Sequence, residues 1–200
     1  DRPTDATASQ LRANQTRSME VEAILLAQTK TGESNLKLSL LSRENGYTIA
    51  YKKIGKKLSD KAQPDLFDTA IIHLETGSQG KTFFVKDYTP LKRRDKIPKD
   101  YHRFHTACRF TKLLSINGIW LEDSHHTYCL TEQSLDAFNN CTHSDIIYLK
   151  SLYLLIRQEG YPVREAWQQT LSFTQRKNLQ YFLSQPLEKL NNIPVETVSP

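Results

Sequence analysis

The sequence predicts an α+β protein whose strands all precede its helices: an N-terminal five-stranded OB-fold barrel followed by a small helical domain. Apolar and polar residues alternate in short segments between residues 20 and 88, and glycine-bearing turns separate these segments. Alternation of period two is typical of half-buried strands. Beyond Pro98 the apolar residues recur at helical spacing. Five strands in about 70 residues suit an OB-fold, although a small meander or an SH3-like barrel fits almost as well.

The strands are predicted from segments in which apolar and polar residues alternate and from the turns between these segments. Leu36, Leu38 and Leu40 alternate with polar residues, and Asn45-Gly46 is the strongest short signal for a hairpin. The predicted strands are residues 21–27, 36–40, 47–52, 66–75 and 81–88.

The second half contains four predicted helices with recognisable ends. Gly118 is expected to stop the first, Ser124 and Ser144 to cap the second and third, and Gly160 with Pro162 to end the third. The first predicted helix includes residues 101–114 and stops at Gly118, and the second is residues 126–139. The third follows its cap Ser144 and includes residues 146–156, and the fourth spans roughly residues 173–184, with one more turn opening at Pro186.

These elements divide the chain into three parts. Residues 1–18 are polar and lack periodicity, which indicates a disordered leader or an expression remnant, with the natural start at or near Met19. Residues 19–97 are the predicted nucleic-acid-binding OB-fold domain, and residues 98–200 are a helical domain with a C-terminal tail. No apolar run approaches the roughly 20 residues that would span a bilayer.

Positive charge is concentrated in the first domain. The chain has 27 basic and 22 acidic residues, and residues 19–97 hold 14 of the basic residues against 10 acidic ones. Two basic clusters on separate loops of one small domain favour a polyanionic partner, whereas solvated lysines that keep a domain soluble are the alternative. The predicted DNA-binding residues are Lys52, Lys53, Lys56, Lys57, Lys61, Lys92, Arg93 and Arg94.

Aromatic residues accompany both clusters. Tyr47 and Tyr51 share one face of the third predicted strand, and Phe83, Phe84 and Tyr88 lie on the fifth. Aromatic side chains beside lysines form stacking platforms for single-stranded nucleic acid. For each ring taken singly, burial in the barrel core is the expected position.

Catalytic and metal-binding motifs are not found in the sequence. The three cysteines are widely spaced and form no Cys-x-x-Cys pair, which argues against a disulfide scaffold or a zinc site and suits a reducing cytoplasm. The pairs His102/His105 and His125/His126 have no partner at metal-ligand spacing. The sequence therefore predicts no enzyme, cofactor or metal, and a metal-dependent nuclease is the least supported class.

Several short segments, in the same order, resemble the RecO family of DNA recombination and repair mediators. The first three are the opening strand, a Gly-Glu-Ser turn and a hairpin ending in glycine; a basic Lys-x-Gly-Lys-Lys segment and a later Gly-Tyr-Pro helix end follow. The matching segments are residues 20–26, 32–36, 41–46, 53–57, 64–67, 155–162 and 186–190.

The resemblance implies an OB-fold followed by helices, no catalysis, and binding and annealing of single-stranded DNA. It also implies cooperation with RecR and with single-stranded DNA-binding protein, whose acidic, apolar C-terminal tail would meet Arg103, Arg109 and Lys112. The chain departs from the family in lacking four cysteines for a zinc site and in its shorter helical half. The alternative function is a protein-binding adaptor that does not bind DNA.

Overall fold

The computed structural model describes residues 17–54, 62–77 and 82–160, together with Tyr181, Ser184 and Leu187. The chain divides between Arg93 and Arg94 into two compact units, a barrel unit and a helical unit. This division lies four residues before the domain boundary expected near Pro98.

The barrel unit is a five-stranded sheet that closes on itself in the order β1-β2-β3-β5-β4. All neighbouring strands are antiparallel except β3 and β5, which pair in parallel through Ala50↔Phe83 and Tyr51↔Phe84. The five predicted strands are confirmed, and their observed bounds are β1 Ser18–Thr31, β2 Asn35–Ser42, β3 Gly46–Lys53, β4 Thr69–Thr76 and β5 Phe83–Lys92.

The predicted leader extends too far into the chain. Ser18 is the first residue of β1 and pairs with Glu75 of β4. The backbone N–H of Arg17 donates to Thr76 Oγ1 at 2.8 Å. Pairing to β4 supplies the order that the polar composition of this segment did not predict, because backbone hydrogen bonding does not depend on an apolar side chain. Residues 1–16 lie outside the described residues.

Side-chain alternation determines which residues fill the barrel. Leu38 and Leu40 of β2, Ala50 of β3 and Ile72 and Leu74 of β4 are all buried and belong to one cluster inside the barrel. The Asn45-Gly46 hairpin is confirmed: Gly46 has a φ of 65°, and the Asn45 N–H donates to Ser42 Oγ at 3.1 Å. The turn requires the left-handed conformation that glycine adopts without steric cost.

The helical unit contains α1 Tyr101–Asn117, α2 Ser124–Asn140 and α3 Ser144–Gln158, with a short 3₁₀ turn at Gly118–Trp120 after α1. Its core includes Phe110 of α1 and Phe138 of α2, whose ring centroids lie 6.3 Å apart. The expected fourth helix and the turn at Pro186 lie almost entirely outside the described residues. Within the described part of the chain, none of the helices is both long and apolar enough to cross a membrane.

The helix ends differ from the prediction at three residues. Asp123, not Ser124, caps α2, because its Oδ1 accepts the N–H of His126 at 2.9 Å. Ser144 is the first residue of α3 rather than its cap, and the preceding His143 makes no side-chain capping bond. Gly118 follows the last residue of α1 but has a right-handed φ of −55° and continues into the 3₁₀ turn. Gly160, with a φ of 76°, follows α3 as predicted.

Candidate nucleic-acid interface

A row of basic and aromatic residues crosses the outer face of the barrel. Lys37 of β2 pairs with Tyr51 of β3, and Tyr51 pairs with Phe84 of β5. Their neighbours Leu38 and Ala50 are buried in the barrel, and successive strand residues point to opposite faces, so the three side chains face outward. We call Lys37, Tyr51 and Phe84 the outer row.

The two aromatic rings of the outer row form a contact. The ring centroids of Tyr51 and Phe84 are 6.3 Å apart and the ring planes are tilted by 44°. Both side chains are half-buried, which leaves part of each ring accessible. Ile49, two residues before Tyr51 on the same face, is 36% exposed. An accessible apolar strip of this kind can receive the flat face of a base.

Basic side chains adjoin this apolar strip. Lys37 belongs to the outer row, and Lys53 is exposed on the same face of β3, two residues beyond Tyr51. Lys86 is also exposed, and its Nζ lies 2.9 Å from Glu75 Oε2 at the opposite end of the row. The Glu75 carboxylate offsets the positive charge of Lys86 at that end. Lys37 and Lys53 are therefore the cations that best accompany the rings.

Lys52 does not share this face. It pairs with Leu36 in the inward-facing register of β3, and its Nζ lies 5.7 Å from the centroid of the buried Tyr88 ring. Lys52 and Lys53 were both predicted to contact DNA, but adjacent residues on a strand point in opposite directions. Of the two, only Lys53 belongs to the outer face.

The remaining predicted contacts of the first basic cluster, Lys56, Lys57 and Lys61, lie outside the described residues. In the second cluster, Lys92 is exposed at the end of β5. Arg93 is only partly available: its Nη1 lies 3.6 Å from Asp68 Oδ2, and its Nη2 donates to the Gln63 carbonyl at 3.3 Å.

Arg94 was predicted to bind DNA, and the structure places it where it cannot. Its side chain is 1% exposed, and its Nε donates to Asp136 Oδ1 at 2.8 Å. A buried guanidinium held by a carboxylate is not accessible to a phosphate. The sequence shows only three consecutive basic residues, and the burial of the third depends on the helical unit in which it lies.

Tyr88 has a structural role. It is buried, and its hydroxyl donates to Asp68 Oδ2 at 2.8 Å. Burial raises the pKa of the Asp68 carboxyl, while the Tyr88 hydroxyl and Arg93 partly offset that effect. Burial and the hydrogen bond to Asp68 likewise raise the pKa of Tyr88. The pair fastens the segment before β4 to the barrel and leaves Tyr88 unavailable for base stacking.

The five aromatic residues singled out in the sequence thus divide into two groups. Tyr88 is in the core, and Phe83 packs against it from a half-buried position. Tyr47, Tyr51 and Phe84 lie on the outer face. Lys37 was missed as a candidate, although its position between Leu36 and Leu38 in an alternating strand predicts an outward side chain.

In the helical unit, the three residues expected to receive an acidic tail have different surroundings. The Arg103 guanidinium donates to the carbonyl oxygens of Lys96, Asn139 and Cys141, the last at 2.7 Å. Arg103 therefore has a structural role, because it joins the segment before α1 to the C-terminal end of α2. The Arg109 guanidinium carbon lies 4.5 Å above the Tyr148 ring while the residue stays exposed, and Lys112 is exposed on the same helix.

Over the described residues, no group of three or more histidine, cysteine, aspartate or glutamate side chains is placed to hold a metal ion. His125 and Cys129, one turn apart on α2, approach to 3.8 Å between Nε2 and Sγ.

No family model matches the chain, and no curated protein matches it.

Proposed function

We propose that this protein binds single-stranded DNA without catalysing a reaction, and that it promotes annealing of complementary strands as a RecO-like recombination mediator. The observation that carries the proposal is the outer row. Lys37, Tyr51 and Phe84 are neighbours on three adjacent strands, and Lys53 lies two residues beyond Tyr51 on the same face. Partly accessible aromatic rings flanked by cations are a combination that suits sequence-independent binding of single strands.

The strand order supports an OB-fold as the framework of this surface. Five strands closed in the order β1-β2-β3-β5-β4, with only β3 and β5 parallel, match the Greek-key barrel of that fold. OB-folds bind oligonucleotides on the face formed by strands 2 and 3. The outer row begins on these two strands.

The chemistry of binding follows from the two kinds of side chain. Bases stack on Tyr51 and Phe84, because every base presents a flat π-face whatever its sequence. Phosphates are neutralised by Lys37 and Lys53, with release of counterions from the strand. Annealing benefits in the same way, since neutralising two polyanions lowers the repulsion between them.

RecR and the C-terminal tail of single-stranded DNA-binding protein are partners in the same proposal, supported by the sequence resemblance. A cytoplasmic location fits the three free cysteines, Cys108, Cys129 and Cys141.

The test is fluorescence anisotropy of labelled oligo(dT) over a salt series, with wild-type protein and the double variant Lys37→Ala/Lys53→Ala. We expect salt-sensitive binding by the wild type and weaker binding by the variant. Loss of two phosphate contacts should make the slope of log K against log salt shallower by about 1.4, since each contact to a single strand contributes roughly 0.7.

Arg43→Ala/Arg157→Ala is the matched control, because it removes the same charge from exposed positions that do not belong to the outer row. Equal weakening by both double variants would show that net charge, not the outer row, drives binding. No binding by the wild type at low salt would contradict the proposal and favour the adaptor.

A further inference from the structure

Helix α1 carries a second surface of aromatic and basic side chains. Tyr101, His102, His105, Arg109 and Lys112 are all exposed. At 3.6 residues per turn they fall within about 100° of the helix circumference, so they form one stripe. None of the 17 residues of α1 is an aspartate or a glutamate. We call these five residues the α1 stripe.

The first turn of the stripe is an assembled platform of rings. Tyr101 is 74% exposed, and its ring stacks on His105 with a centroid distance of 5.9 Å and an angle of 17°. His102 meets the Tyr101 ring edge-on at 5.7 Å. His105 therefore lies nearly parallel to the tyrosine ring, and His102 lies at a steep angle to it. An exposed aromatic ring with such neighbours can receive a flat ligand by stacking.

The two cations of the stripe lie farther along the helix axis than the ring platform. Lys112 lies eleven residues after Tyr101, about 16 Å along the axis at 1.5 Å per residue. Arg109 lies between them, and its stacking on Tyr148 limits the rotamers of its exposed guanidinium. A stacked single strand places one phosphate roughly every 3.4 Å, so about five nucleotides would span this length.

We propose that the α1 stripe is a second binding site for single-stranded nucleic acid, in which a base stacks on Tyr101 and phosphates meet Arg109 and Lys112. This inference rests on the proposed function, because it gives each of two annealing strands its own unit of the protein. An acidic peptide would also pair with the cations, but its carboxylates would gain nothing from stacking on the exposed Tyr101 ring.

The direct test is photocrosslinking with oligo(dT) in which single thymines are replaced by 5-iodouracil, followed by mapping of crosslinked peptides in the full chain. We expect crosslinks at Tyr101 as well as on the outer row. Tyr101→Ala should abolish the α1 crosslinks and leave those of the barrel, whereas Tyr101→Phe, which keeps the ring, should retain them. Tyr101 is so exposed that neither substitution is expected to prevent folding.

Affinity measured in the Lys37→Ala/Lys53→Ala background isolates the second site. There Tyr101→Ala should weaken oligo(dT) binding about tenfold, the usual effect of one lost base stack. Barrel crosslinks without any on α1 would overturn this inference and leave the proposed function standing. Crosslinks on α1 without any on the barrel would support the inference and contradict the outer row.

A further experiment adds a peptide of acidic residues that ends in apolar ones, as a competitor of the oligonucleotide for α1. Binding of that peptide to α1, with no crosslink of the oligonucleotide there, would overturn the inference. It would assign the stripe, with the neighbouring exposed Ile116, Ile119 and Trp120, to a protein tail.

Discussion

In the proposed function, Tyr51 and Phe84 give the outer row its preference for a ligand with flat faces. Neither belongs to the barrel core, yet both are half-buried, so the barrel holds their orientation. Lysines alone would attract any polyanion, whereas a pair of rings favours one with exposed bases. Single strands should therefore bind better than a duplex, whose bases are already stacked.

The face of the Tyr51 ring, and not its hydroxyl, should contribute to binding. Tyr51→Ala should weaken oligo(dT) binding by about 1–3 kcal/mol, the usual cost of one lost stack. Tyr51→Phe, which removes only the hydroxyl, should bind nearly as well as the wild type. Anisotropy titrations at one low salt concentration measure both. Equal losses in the two variants would indicate that the hydroxyl, not the ring face, contacts the ligand.

Among the helices, α2 has two adjacent residues that could act as its N-terminal cap. Asp123 and Ser124 are both good capping residues, and the sequence alone favoured the serine. In the structure Asp123 has the extended conformation of a cap and accepts the N–H of His126, while Ser124 has entered the helix. A carboxylate at this end also interacts favourably with the helix dipole.

Substitutions of the two residues distinguish these roles. Asp123→Ala should lower the free energy of unfolding by about 1 kcal/mol, the usual cost of removing a cap, whereas Ser124→Ala should change it by a few tenths at most. Urea unfolding of the full chain, followed by circular dichroism, measures both. A larger loss from Ser124→Ala would show that α2 begins one residue later than described.

At the scale of the whole molecule, stability should depend on pH through a carboxyl buried in the barrel unit. Asp68 accepts the Tyr88 hydroxyl and lies beside Arg93, but burial dominates and raises its pKa. The folded chain therefore binds this proton more tightly than the unfolded chain does. Its stabilising effect is fully present below the ordinary carboxyl pKa and is lost as the pH rises through the raised value.

Asp68→Asn removes this titration and keeps an oxygen that can accept the Tyr88 hydroxyl. We expect the unfolding free energy of the wild type, relative to that of the variant, to fall as the pH rises through the window just above the ordinary carboxyl pKa. Urea unfolding at a series of pH values from about 3.5 to 7 measures the difference. A relative stability that rises with pH would mean that Arg93 and Tyr88 outweigh burial at this carboxyl.

Local sequence is enough to predict the order of elements, the five strands, the Asn45-Gly46 hairpin and the first three helices. These depend on local periodicity and on turn residues, and both are visible in a single chain. Alternation in β2 also predicts that Lys37 points outward, although Lys37 belongs to neither of the two basic clusters.

The positions of charged and aromatic side chains on the surface depend on contacts between residues far apart in the chain. The parallel pairing of β3 with β5 brings Tyr51 to Phe84, which are 33 positions apart, and no local pattern predicts that register. Likewise, the burial of Arg94 against Asp136 withdraws a cation that looks identical to its neighbours in sequence. Charge and ring content are properties of the sequence, whereas exposure and adjacency arise from long-range packing.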